Sequence, residues 1–108
     1  MKRFFLPILI LMLAGTAHAK GNADKGKAKA AQVCAACHGA DGAKPTAPDQ
    51  PILAGQYPDY LVKALADYKS GKRANPIMKA FADQLSKQDI EDVSAWFASQ
   101  KSALHFQR

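Results

Sequence analysis

Two cysteines and a histidine stand close together in this chain, as Cys34, Cys37 and His38. Residues three or four apart lie on the same side of a helical turn, so the two thiols and the imidazole can project in one direction. Thiols at this spacing can add to the two vinyl groups of a porphyrin, and the following imidazole can then bind its iron. The pentapeptide therefore predicts one covalently attached c-type haem, with His38 as an axial ligand.

The same cysteines admit two other interpretations. A Cys-x-x-Cys pair can be a redox disulfide, but that motif accompanies βαβ patterns and no strand-like run lies nearby. The pair could form part of a zinc site, but zinc takes four ligands, and His105 is the only histidine that follows His38. We therefore favour haem, which would use both cysteines and leave none for a structural disulfide.

A second axial ligand would come from elsewhere in the chain. Met78 is the only methionine beyond the N-terminal segment, and we place it in a short loop after Pro76. A thioether paired with histidine favours ferrous iron and raises the reduction potential. Methionine more often fills a gap in a core, and His105 in the C-terminal tail is a rival ligand. With the haem motif present, we predict Met78 as the ligand.

The N-terminus has the pattern of an export signal. A positive start is followed by an apolar run from Phe4 to Ala14, and Ala17-His18-Ala19 fits a signal-peptidase site. The apolar run is shorter than the roughly 20 residues that span a bilayer, which disfavours the competing interpretation, a retained membrane anchor. We predict a periplasmic protein cleaved after Ala19, with no transmembrane segment in its mature form. The predicted division is a signal peptide (1–19), one domain (20–100) and a tail (101–108).

The chain is basic, with 15 Lys and Arg against 9 Asp and Glu and a formal charge of +6. Nucleic-acid binding is one reading of this charge, but export and the lack of interleaved aromatic and basic residues argue against it. The alternative interpretation is that the positive charge steers the protein toward acidic surfaces on redox partners. Such attraction weakens as the salt concentration rises. Lysines that could ring an exposed haem edge are Lys44, Lys63, Lys72 and Lys79.

Local signals predict helices that would position these groups. Asn22 is an N-cap for a first helix that runs toward the haem motif, and Gly26 would allow close packing by another helix. Pro58 and Gly71 bound a second helix. A last helix starts at Ser86, which forms a capping box with Asp89 between the apolar residues Leu85 and Ile90. Proline and glycine recur from 39 to 56, which predicts a loop wrapped around the histidine side of the haem, with Ile52 and Leu53 facing the ring.

Over nearly all of residues 21–100 the sequence resembles the class I bacterial cytochromes c. It is similar to small single-haem periplasmic cytochromes and to one half of the di-haem cytochrome c4. The matching pieces are Cys34–Gly42, Pro51–Gln56, Tyr60-Leu61, Gly71–Arg73, Met78, Leu85-Ser86 and Trp96-Phe97.

The resemblance implies an all-α fold of three to four helices around the haem, with the first and last helices crossing where Gly26 meets Trp96. It also implies that the Pro51 carbonyl accepts a hydrogen bond from His38, and that Arg73 is a candidate to neutralise a haem propionate. Haem attachment outside the cytoplasm, as the resemblance implies, fits the export signal.

The function we predict is a monomeric electron carrier that shuttles between respiratory donors and acceptors. Two protein ligands on the iron would leave no open position, so we predict that the protein is not an enzyme. One alternative is a haem subunit of a larger membrane oxidase or dehydrogenase. Another is a peroxidase or gas sensor, which would require Met78 to be off the iron.

Overall fold

The computed structural model describes residues 3–4 and 21–102 of the chain. The cleavage site predicted after Ala19 and the rival ligand His105 lie outside the described residues, as does nearly all of the predicted signal peptide. The regular elements in the described ranges are all helical, which confirms the predicted fold class. They are α1 (Ala23–Val33), α2 (Ala35–His38), α3 (Pro58–Ser70), α4 (Pro76–Ala82) and α5 (Lys87–Ala98).

Helices α1 and α5 cross closely, as predicted. A Cβ atom built on Gly26 would lie 1.9 Å from the Asp92 carbonyl oxygen and 3.0 Å from the Trp96 Cβ. No residue with a side chain could sit at Gly26 without moving one helix from the other. The buried carboxylate of Asp92 also accepts a hydrogen bond from the backbone N–H of Asn22, at 2.8 Å, which ties the start of α1 to α5.

The predicted caps place the helix ends correctly. The Asn22 side chain accepts from the Lys25 N–H at the start of α1, and α3 begins at Pro58 and ends at a left-handed Gly71. At α5, Ser86 and Asp89 form the predicted capping box. The apolar side chains that these helices bury together form one core, which contains Ala30, Leu61, Leu85, Ile90, Val93 and Phe97.

The segment from residue 39 to residue 57 contains no helix or strand and is held by backbone hydrogen bonds. The Gly42 carbonyl accepts from the N–H groups of Leu53 and Ala54, and the Gly55 N–H donates to the Phe97 carbonyl of α5. Leu53 packs against the core, whereas Ile52 is 37% exposed. The loop is therefore anchored both to its own beginning, next to His38, and to the last helix.

Candidate haem site

The Cys-x-x-Cys-His segment forms a helical turn at the end of α1. The first helix, which we predicted to run on toward Cys37, is interrupted at Cys34, where the chain turns before α2. The backbone N–H groups of Cys37 and His38 both point to the Cys34 carbonyl, at 3.3 and 3.1 Å. The two thiols and the imidazole are thus carried on one turn, as their spacing predicts.

The His38 ring is buried and hydrogen-bonded. Only 6% of the residue is exposed, and Nδ1 lies 2.9 Å from the Pro51 carbonyl oxygen. A carbonyl oxygen can only accept, so Nδ1 carries the proton and Nε2 keeps its lone pair. An imidazole bound to a metal through one nitrogen has this arrangement, with the other N–H donated to a carbonyl. His38 and Pro51 therefore fit an axial haem ligand and the group that orients it.

Cys34 and Cys37 are both half-buried. Burial raises the pKa of the Cys34 thiol to about 11. Reactive redox pairs have the opposite property, a lowered pKa that maintains the thiolate. Among the residues that the structure describes, no group of three or more His, Cys, Asp or Glu side chains could hold a metal ion. The raised pKa of Cys34 therefore argues against a reactive dithiol at this position.

Met78 is the third residue of helix α4, so our prediction that it lies in a loop is wrong. The Asn75 side chain accepts hydrogen bonds from the N–H groups of Ile77 and Met78, and Pro76 occupies the first helical turn. A proline disfavours helix in the residues before it, but it is well suited to the first turn of a helix. Here Pro76 begins a helix rather than a loop. The Met78 side chain is half-buried, and its role as a ligand stays a prediction.

Arg73 is exposed on the turn that follows α3. Its Nη1 atom lies 3.4 Å from the Tyr60 hydroxyl, and its guanidinium carbon stands 4.8 Å from the centre of the Tyr68 ring. The hydrogen bond with Tyr60 raises the pKa of Arg73. Two tyrosines therefore hold this cation in place, and its role at a propionate stays a prediction.

The lysines proposed for docking fall into two groups. Lys63 pairs with Asp67 at 2.7 Å and Lys79 pairs with Asp83 at 3.2 Å, each one helical turn apart. Lys44 and Lys72 are exposed and make no ion pair within the described part of the chain. The net charge available to a partner is therefore concentrated on fewer lysines than the sequence suggested.

One contact near the site had no signal in the sequence. The Trp96 indole N–H donates to the Ala40 carbonyl at 3.0 Å, two residues after His38. The two residues are 56 positions apart, and no local pattern indicates a hydrogen bond between them. Trp96 therefore braces the segment that follows the haem motif, besides its place in the helix crossing.

Comparison with known proteins gives the family. Residues 21–97 match the model of a family described as "Cytochrome C oxidase, cbb3-type, subunit III". The chain is 53% identical over 97 residues to cytochrome c4 of Pseudomonas aeruginosa, covering 90% of this chain and 47% of that protein. It is 39% identical over 71 residues to cytochrome c-554(548) of Halomonas halodenitrificans, covering 63% of this chain and 84% of that protein.

Solved structures agree with the sequence matches. The crystal structure of cytochrome c4 from Pseudomonas stutzeri superposes with a TM-score of 0.68 at 44% identity, covering 75% of this chain and 46% of that one. The structure of thiosulfate dehydrogenase (TsdBA) from Marichromatium purpuratum superposes with a TM-score of 0.68 at 33% identity, covering 74% of this chain and 19% of that one. The chain spans about half the length of the cytochrome c4 sequences that it matches.

The fold and the attachment motif together define a class I c-type cytochrome domain. The chain belongs to the cytochrome c family whose model it matches, and it corresponds to one domain of the di-haem cytochrome c4. Its cofactor is one covalently bound haem c, and Cys34 and Cys37 occupy the cysteine positions of the attachment motif. Within the described ranges, no helix is long and apolar enough to cross a membrane.

Proposed function

We propose that this chain carries single electrons in the periplasm, holding its haem through Cys34, Cys37, His38 and Met78. The bound haem supplies one-electron chemistry between Fe(II) and Fe(III). The observation that carries the proposal is the buried His38 ring, whose Nδ1–H donates a hydrogen bond to the Pro51 carbonyl. That bond fixes the ring and leaves Nε2 free for the iron.

Met78 completes the proposal, because a second protein ligand would fill the remaining axial position. A site filled on both sides has no place for a substrate, so the chain acts as a carrier rather than as an enzyme. Helix α4 presents Met78 from a segment 40 residues beyond His38, between the capping residue Asn75 and the buried Ala82. Arg73 is proposed to face a haem propionate, since its guanidinium is already oriented by Tyr60 and Tyr68.

The location and partners follow from the sequence pattern together with the relatives. An export signal with cleavage after Ala19 would deliver the domain (20–100) to the periplasm as a monomer. One relative, 46% identical over 66 residues, is named the thiosulfate dehydrogenase electron acceptor of Stutzerimonas stutzeri. We propose partners of the same general class, which are redox proteins with acidic docking surfaces that meet Lys44 and Lys72.

Replacing Met78 tests the proposal. Met78→Ala is expected to lower the reduction potential and to abolish the weak sulfur-to-iron charge-transfer band of the ferric protein. Imidazole should bind the ferric variant about a hundredfold more tightly, because no internal ligand competes for the iron. Ile77→Ala, at a neighbouring position that is 68% exposed, is the control and should keep the wild-type potential. A Met78→Ala protein with an unchanged potential would exclude Met78 as a ligand.

A second candidate function is a fixed haem subunit of a larger complex. The matched family is described by an oxidase subunit, and the chain also superposes on part of a thiosulfate dehydrogenase. The two functions differ in how the protein occurs. A carrier should elute as a free monomer from a periplasmic extract, whereas a subunit should co-purify with a larger protein at a fixed ratio.

A further inference from the structure

We propose that Lys69 and Lys79 form a clasp that positions helix α4, and thereby Met78. The inference rests on the proposed ligation by Met78 and concerns the way in which that side chain is held. Both lysines act as positioning residues, through hydrogen bonds to backbone carbonyls rather than through their charge toward a partner.

Helix α4 is short and mostly exposed, with two half-buried apolar side chains, Met78 and Phe81. It is seven residues long, and Ala82 is its one buried residue. The side chain of Ile77, beside Met78, is 68% exposed. An isolated helix of this length is unstable in water, so its position depends on contacts with its surroundings.

Lys79 supplies a contact from α4 to α3. Its Nζ atom lies 3.0 Å from the Lys69 carbonyl oxygen and 3.2 Å from both carboxylate oxygens of Asp83. The Lys69 carbonyl belongs to the last turn of α3, where carbonyls lack partners within the helix and a positive charge is favoured. The ammonium group thus closes the end of α3 while holding the middle of α4 against it.

Lys69 supplies a second contact in the other direction. Its Nζ atom donates to the carbonyl oxygen of Leu85, in a part-buried hydrogen bond. Leu85 is only 2% exposed and belongs to the core. The chain that follows α4 is therefore bonded to α3. Lys69 makes both contacts, since its carbonyl accepts from Lys79 of α4 and its ammonium group donates to Leu85, which follows α4.

In α4, Met78 lies between the Asn75 cap, which precedes it, and Lys79, which follows it. A small ligand that competes for the iron has to displace the Met78 side chain, and the backbone of α4 can yield most readily by moving away from α3. That movement breaks the Lys79 hydrogen bond to the Lys69 carbonyl. The clasp should therefore favour the state in which Met78 stays in place.

Imidazole titration of the ferric holoprotein tests this, with the sulfur-to-iron band as the readout. Lys79→Met should lower the apparent Kd for imidazole about three- to tenfold, the equivalent of the typical net contribution of one lost hydrogen bond. Lys63→Met is the matched control. Lys63 makes the same kind of ion pair with an aspartate four residues further along its helix, Asp67, and within the described part of the chain it makes no hydrogen bond to α4. It should leave the Kd unchanged. Asp83→Asn keeps the Lys79 bond to the Lys69 carbonyl and should also stay near the wild type.

Denaturant midpoints separate positioning from general stability. A Kd that falls in Lys79→Met, with a midpoint equal to that of Lys63→Met, supports the clasp. Equal Kd values for imidazole in Lys79→Met and Lys63→Met overturn the clasp. A lower Kd in Lys79→Met that is fully accounted for by a lower denaturation midpoint of that variant also overturns it. If the wild-type protein lacks the band and binds imidazole as tightly as Met78→Ala, the ligation proposal itself fails and the clasp falls with it.

Discussion

The imidazole of His38 is oriented by a carbonyl that lies 13 residues further along the chain. Because that oxygen can only accept, the contact selects one tautomer and directs Nε2 away from Pro51. The indole N–H of Trp96 donates to the Ala40 carbonyl, two residues after His38. One hydrogen bond thus orients the ring of His38, and the other holds the backbone two residues after it.

Trp96 contributes to stability both through its ring contacts and through its indole hydrogen bond, and two substitutions separate these contributions. Trp96→Phe keeps most of the ring contact but loses the donor, and it should lower the free energy of unfolding by about 1 kcal/mol. Trp96→Ala also removes the packing against α1 and should cost about 3–5 kcal/mol. Chemical denaturation of the holoprotein measures both. Tyr57→Ala, at a site that is 77% exposed, should change stability by under about 0.5 kcal/mol. A Trp96→Phe protein as stable as the wild type would mean that the indole bond contributes nothing.

Helix α5 is defined by the signals at its own first turn. The Ser86 hydroxyl accepts from the Asp89 N–H at 3.0 Å, and the Asp89 carboxylate accepts from the Ser86 N–H at 2.9 Å. The neighbouring Leu85 and Ile90 are both buried. The helix therefore starts at a point fixed both by polar caps and by the core, which is why its boundary was predictable.

Asp89 makes this cap dependent on pH. The hydrogen bond from the Ser86 backbone N–H is the main cause that lowers the pKa of Asp89 below its ordinary value of 3.8, with a smaller effect of Lys29. A group with a lowered folded-state pKa contributes stability above its unfolded pKa and loses it as the pH falls through the folded value. Asp89→Asn keeps an oxygen acceptor but removes the negative charge near the helix N-terminus, and it should cost about 0.3–1 kcal/mol at neutral pH.

The difference between wild type and Asp89→Asn should shrink as the pH falls below about 4, and denaturation at several pH values measures it. Asp59→Asn, at an exposed position in the first turn of α3, is the control for removing a carboxylate near a helix start. A stability difference that stays constant from neutral pH into the acid range would contradict the role of the charged cap.

At the scale of the whole molecule, the positive charge and the tertiary ion pairs act together. The chain carries a formal charge of +6, but Lys29, Lys63 and Lys79 are each paired with an aspartate. The remaining exposed lysines, among them Lys44 and Lys72, are those that can attract an acidic partner. Long-range attraction of this kind raises association rates more than it strengthens the bound complex.

We therefore expect electron transfer to an acidic redox protein to slow about tenfold or more when salt rises from roughly 10 mM to 0.5 M. Stopped-flow kinetics at varied salt measures the second-order rate constant. A small uncharged electron donor is the control, and its rate should change little. A rate with the acidic protein that is independent of salt would remove steering from the account of the function.

The sequence by itself determined the features that depend on residues close together in the chain. The Cys34–His38 spacing predicted the covalent haem, and the caps at Asn22, Pro58, Gly71 and Ser86 predicted helix ends correctly. Such signals act within a turn or two of the backbone, so no packing is needed to recognise them. Pro76 is compatible both with a break in the chain and with the start of a helix. The sequence did not determine which of the two occurs, and the start of α4 was mistaken for a loop.

Tertiary structure decided the contacts between distant segments. Resemblance to a family, rather than any pattern in the residues, suggested that Pro51 would meet His38. Nothing in the sequence indicated that Trp96 would donate to Ala40, or that Lys69 and Lys79 would hold α4 by two carbonyls. Hydrogen bonds of this kind exist only once the helices have packed, because packing alone brings a donor within about 3 Å of an acceptor that is far away in the chain.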